Sequence, residues 1–115
     1  MIHVKRIYEE PDERDGYRVL VDGLWPRGVS KDDAAVDAWM REIAPSDELR
    51  RWFDHDPDKW DEFQRRYAGE LKRMPEELAF LRAKGDQSTL TLVFAARDTE
   101  HNNAVALRNI LSTNG

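Results

Sequence analysis

The chain has 115 residues, no cysteine, and 18 basic against 23 acidic residues, a net charge of −5. That length suits a single domain with a core that needs no metal or disulfide staple, and the missing thiols exclude disulfides, thiolate nucleophiles and cysteine-ligated metal. The acidic balance opposes broad binding to a nucleic-acid backbone, and no segment approaches the roughly 20 apolar residues of a membrane span.

The start, Met1 to Arg6, has no apolar signal-peptide core, so the reading is a cytoplasmic protein without a membrane partner. Ile2, Val4 and Ile7 alternate with His3, Lys5 and Arg6, as in a short strand. "YEEPDERDG", Tyr8 to Gly16, reads as an exposed turn or mobile loop. "YRVLVD", Tyr17 to Asp22, is a strand stopped at Gly23. Ser30 is placed to cap a short helical turn. Val36 to Ile43 has both strand and helix periodicity and is read as a short strand.

From Pro45 the pattern is helical. Ser46 is a good N-cap with Asp47 and Glu48 in the first turn, and Leu49, Trp52 and Phe53 share a face. Asp56 and Pro57 open the next helix, where Trp60, Phe63, Tyr67 and Leu71 form a core-facing stripe. Pro75 starts a third helix, with Leu78 and Leu81 buried and Gly85 ending it. "TLTLVFAA", Thr89 to Ala96, becomes continuously apolar, as a central strand covered on both faces does. Asp98 or Thr99 then caps a last helix, with Ala104, Leu107 and Leu111 on its apolar side. The order predicts a small single-domain α/β fold, with a mainly parallel sheet of about four strands and helices packed on it.

In open α/β sheets, ligands bind where the carboxyl ends of strands meet helix starts. Two such junctions carry chemistry: "DGLWPRG", Asp22 to Gly28, and "RDTEHNN", Arg97 to Asn103. If their strands are parallel, both loops lie on one edge of the sheet. Arg27 and Arg97 are the anion-holding candidates, since a guanidinium fork matches carboxylate or phosphate. Gly23, Pro26 and Gly28 shape the first loop, and Trp25 offers an apolar or stacking wall. Asn102 and Asn103 stand at a helix start that favours negative charge. Asp22, Asp98 and His101 are the acid–base candidates. Neither loop has the spacing of a Walker or dinucleotide fingerprint.

Plainer roles compete with each of these. Trp25 closes a core end in that reading, Arg27 pairs with Asp22 or Asp98, and His101 is a solvated surface histidine. Asn102 and Asn103 bond local backbone. "DHDPD", Asp54 to Asp58, has helix-start work already, so no metal site is read there, and no cofactor is implied. Arg50, Arg51, Arg65 and Arg66 read as the solvated, ion-paired sides of helices. The leading functional expectation is a pocket for a small anionic molecule, phosphorylated or not. The alternative is a non-enzymatic interaction or scaffold module.

"RVLVDGLWPRGVSK", "WMREIAPSDELRRWF", "WDEFQRRYAGEL" and "TLTLVFAARDTEHNNAVAL" together resemble the YeaO-like branch of domain-of-unknown-function family 488, over nearly the whole chain. The resemblance implies a small bacterial or archaeal α/β protein and assigns it no activity. It marks Asp22, Gly23, Trp25, Pro26, Arg27 and Gly28, then Ala44, Pro45 and Ser46, then Ala96, Arg97, Asp98, His101, Asn102 and Asn103. Longer relatives end the second strand with a cysteine and follow it with Cys-His-Arg. Here "FAARDTEHNN" stands in its place, so thiol chemistry does not carry over. Relatives of this branch often have lysine at Arg97, which makes a cation the common element there.

Overall fold

The computed structural model describes residues 1–113. Four strands, β1 (Ile2–Arg6), β2 (Tyr17–Leu20), β3 (Ala38–Trp39) and β4 (Leu90–Phe94), form one sheet in the order β1-β4-β2-β3. Every pairing is parallel, with Tyr17 opposite Leu90 and Ile2 opposite the same Leu90 on the other side. Parallel neighbours need crossovers, not hairpins, so all four strands end at one edge. All five residues of β4 are buried, Thr91 among them, as a strand covered on both faces requires.

Alternation sorts the strand side chains into two cores. Val19, Val21, Leu90, Leu92 and Phe94 join the larger one. Leu20 and Val93 point the other way, with Ile7, Ala34, Trp25 and Trp39. Helix α1 (Lys31–Ala34), capped by Ser30, closes this smaller side. Four helices supply the larger core: α2 (Asp47–Phe53), α3 (Trp60–Leu71), α4 (Pro75–Gln87) and α5 (Asn103–Ser112). The Phe63, Tyr67 and Leu71 stripe of α3 is buried as expected, with Trp60 half-buried at its end. Arg65 and Arg66 both pair with Glu62 on the solvent side of the same helix.

Four local expectations change. The Tyr8 to Gly16 segment is no simple exposed loop: it holds a 3-10 turn at Glu13–Asp15, and Asp15 is buried against Lys5 and Arg18. Only Ala38–Trp39 of the Val36 to Ile43 stretch pairs as strand, and Arg41–Ile43 turns as a 3-10 helix. Gly85 does not end α4 but lies inside it. A Cβ there would stand 2.8 Å from Ile2 Cγ1, so the absent side chain lets α4 approach β1. The last helix is capped by Asn102, whose Oδ1 accepts the Val105 N–H, and not by Asp98 or Thr99.

Candidate functional site

Because β2 and β4 are adjacent and parallel, the loops that follow them leave the sheet side by side. Asp22 joins them directly. Its Oδ2 accepts the Ala95 N–H at 2.9 Å and its Oδ1 accepts Asn103 Nδ2 at 3.0 Å. Asn103 also donates to the Val21 carbonyl, and Trp39 Nε1 donates to the Asp22 carbonyl at 2.8 Å. The end of β1 is drawn in too. Arg6 donates to the Ala95 and Ala96 carbonyls, its guanidinium lies 4.7 Å above the Tyr8 ring, and the Tyr8 hydroxyl donates to the Arg27 carbonyl.

A cleft of about 580 Å³ opens at this edge. Of the expected residues, Asp22, Gly23, Trp25, Pro26, Arg27, His101, Asn102 and Asn103 line it. Gly28, Arg97 and Asp98 do not. Gly28 has a φ of 72°, the left-handed turn that lets the loop reverse, and Arg97 is exposed outside the lining. Three arginines, Arg27, Arg50 and Arg51, face two aspartates, Asp22 and Asp54, in the wall, so the cleft is locally basic in an acidic chain. Arg50 pairs with Asp47. Among the described residues, Arg27 and Arg51 have no carboxylate partner, and Arg27 pairs with neither Asp22 nor Asp98.

Arg50, Arg51 and His55 come from α2 and its end, which in sequence read as a solvated helix surface and a helix break. What places them is the Ala44 to Ser46 turn. Ser46 N–H and Oγ both donate to Glu70 of α3, Ser46 Oγ accepts the Leu49 N–H, and the Tyr67 hydroxyl donates to the Ile43 carbonyl. These contacts aim the carboxyl end of α2 at the strand loops. Asp54 and His55 both have positive φ, 46° and 55°, so the chain turns sharply at the cleft wall. The only sequence signal was the proline-terminated "DHDP" break.

The acid–base candidates differ in what remains free. Burial raises the Asp22 carboxyl above its ordinary range, against the opposing pull of the Asn103 and Ala95 N–H donors. Both its oxygens are already engaged. Asp98 accepts the Glu100 and His101 N–H groups, which hold its carboxyl below the usual value, and its Oδ2 meets His101 Nδ1 at 3.0 Å. The His101 ring sits edge-on to Trp60, 5.3 Å between centroids. The pair fixes the ring and leaves Nε2 as the one imidazole atom without a protein partner among the described residues. Asn102, 3 % exposed, is consumed by the α5 cap and a bond to the Asp98 carbonyl. Trp25 donates to the Val29 carbonyl at 2.7 Å and meets Trp39 edge-on at 5.4 Å, so it builds the smaller core and offers the cleft only part of its surface.

Asp22→Asn is expected to destabilise the fold by about 1–2 kcal/mol, since an amide would set an NH₂ against one of the two N–H donors. A raised folded-state pKa means that the Asp22 contribution is complete below the unfolded pKa and is lost as pH rises through the folded one. The deficit of the variant is therefore larger near about pH 4 than near about pH 7. Urea denaturation at both pH values checks it, and a deficit that grows with pH contradicts it.

The chain is 43% identical over 111 residues to the uncharacterised protein Rv3073c of Mycobacterium tuberculosis, covering 96% of this chain and 93% of that protein. It is 40% identical over 110 residues to the uncharacterised protein YeaO of Escherichia coli, covering 96% of each. No solved structure matches it. A family model described as "Inactive DUF488-N3 subclade" matches residues 1–114. With that model matched over residues 1–114 and relatives matched along almost their full length, the chain belongs to the family described as the "Inactive DUF488-N3 subclade".

Proposed function

We propose that the cleft binds a small anionic metabolite, through phosphate or carboxylate, without turning it over. The observation that carries this reading is that Arg27 and Arg51, from separate elements and free of carboxylate partners among the described residues, line the same cleft. The start of α5 borders it as well, and the positive end of a ten-residue helix favours an anion. Binding without chemistry suits the occupied oxygens of Asp22 and Asp98, the lack of a cysteine and the family's description as inactive. Of the three acid–base candidates, His101 alone keeps a free ring nitrogen, and as an imidazolium it donates Nε2–H to the anion. The same reading places the protein in the cytoplasm and without a nucleic-acid partner, since a net charge of −5 opposes binding to a phosphate backbone.

A thermal-shift screen over phosphorylated and carboxylated metabolites tests this. A true ligand at about 100 times its Kd adds about 2.7 kcal/mol of stability. For any hit, Arg27→Ala and Arg51→Ala are each expected to weaken binding about tenfold or more, the worth of a charge-assisted hydrogen bond. Hits whose affinity survives both substitutions would place the anion elsewhere.

A further inference from the structure

The cleft is more than a basic patch. Its apolar lining comes from Leu24, Pro26, Pro45, Phe53 and Phe63, beside the ring of Tyr8 at the mouth. Phe53 and Phe63 are buried and stacked at 4.3 Å, so an aromatic pair forms part of the cavity wall. Tyr8 and Leu24 behave differently. They are 48 % and 72 % exposed, and they are two of the four large hydrophobic residues exposed among those described. Both border this one cleft. Leu24 follows Gly23 on the loop that also carries Arg27, so an uncovered apolar side chain and a cation without a carboxylate partner among the described residues lie within four residues of chain.

An inorganic anion would use the arginines and leave this surface in water. A molecule with an apolar ring as well as an anionic group would cover both. The volume of about 580 Å³ is inside the range of about 300–1,000 Å³ that holds drug-sized ligands and far exceeds what one phosphate needs. We infer that the cleft takes a two-part ligand, a planar aromatic or heteroaromatic ring carrying a phosphate, with the ring against Tyr8 and Leu24 and the phosphate against Arg27 and Arg51. This rests on the anion-binding reading and adds the chemical class of the rest of the ligand. Tyr8 is held for the role by its hydroxyl bond to the Arg27 carbonyl and by the Arg6 guanidinium over its ring. Ring-contacting and anion-contacting groups are thereby tied to each other.

Calorimetric titration with four probes tests the inference: adenosine 5′-monophosphate, ribose 5-phosphate, adenosine and inorganic phosphate. The expected result is that the nucleotide binds at least about tenfold more tightly than ribose 5-phosphate, inorganic phosphate or adenosine, since burying a ring is worth over one such factor. Leu24→Ser is expected to shrink that preference at least about threefold with ribose 5-phosphate affinity unchanged, and Tyr8→Ser to shrink it by at least as much. Tyr8→Phe, which keeps the ring, is expected to retain the preference. Leu24 is mostly in solvent, so its variant folds in any case. Equal affinity for the nucleotide and ribose 5-phosphate, both lost in Arg27→Ala, overturns the two-part ligand and leaves the anion reading standing. Adenosine binding as well as the nucleotide overturns both, as does the absence of binding by all four.

Discussion

Replacing Asp15 with alanine is expected to lower stability by about 3–5 kcal/mol, because it strands a buried cation. Arg18 is 4 % exposed and Asp15 is 7 % exposed. The Asp15 carboxylate accepts from Arg18 Nη1 at 2.7 Å, from Lys5 Nζ at 3.1 Å and from the Asp12 N–H at 3.0 Å. The rest of the Arg18 fork donates to the Ala34 and Ala35 carbonyls, which fastens the end of α1 to β2. Removing Asp15 takes from Lys5 and Arg18 the carboxylate that both of them bond. Thermal denaturation should find the midpoint at least about 10 °C lower. A fall under about 3 °C would mean that the network contributes little. The pH dependence has a definite sign. Burial by itself raises the Asp15 carboxyl, and the Asp12 N–H with Lys5 and Arg18 outweighs it, so the pKa lies below its ordinary value. Such a group contributes stability above its unfolded pKa and loses it as pH falls through the folded one. Wild-type protein therefore loses this contribution on acidification below about pH 4, and the Asp15→Ala variant has none to lose.

Gly16→Ala is the second large effect, expected to cost at least about 3 kcal/mol. Gly16 has φ 66° and ψ −129°, a conformation that side chains beyond hydrogen rarely adopt. An added Cβ would stand 2.2 Å from the Thr89 carbonyl oxygen. That oxygen accepts the Tyr17 N–H at 2.9 Å, the bond that begins the pairing of β2 with β4. The atom that must yield is backbone, so no rotamer change relieves the contact. Relief requires breaking the first rung between the two strands whose far ends hold the cleft. Urea denaturation should show a midpoint lower by about 1–2 M with an unchanged slope. A midpoint within about 0.3 M of wild type would contradict the geometry.

Much of the candidate site was legible because strand ends and loop chemistry are local. Gly23, Pro26 and Gly28 announced a sharp turn after a buried strand, and "RDTEHNN" announced another. Parallel pairing then required only that both strands point the same way, and the Asp22 bridge to Ala95 and Asn103 joins the two loops. Arg97 illustrates the limit of that reasoning. It sits in the right loop, yet its side chain lies outside the cleft lining, since a loop's sequence does not say which way each residue faces. Arg51 and His55 were the opposite case. Nothing in "LRRWFDHDP" distinguishes one arginine of a solvated helix from one that borders a cavity. Glu70 and Tyr67, twenty-four residues away from the Ser46 and Ile43 atoms they contact, make the difference.

The sequence by itself determined the class of fold, the order of its elements and the two strand-end junctions that meet beside the cleft. Periodicity, capping residues and the continuous run in β4 act over a few residues and can be read there. Only the tertiary structure decided that Asp15 and Arg18 are a buried ion pair, that Asn102 and not Asp98 caps α5, and that α2 supplies Arg51 and His55 to the cleft. Each of these depends on which surfaces meet across the chain. A charged residue's burial, a cap's choice of partner and a wall's identity are properties of packing, and packing is written in contacts far apart in sequence.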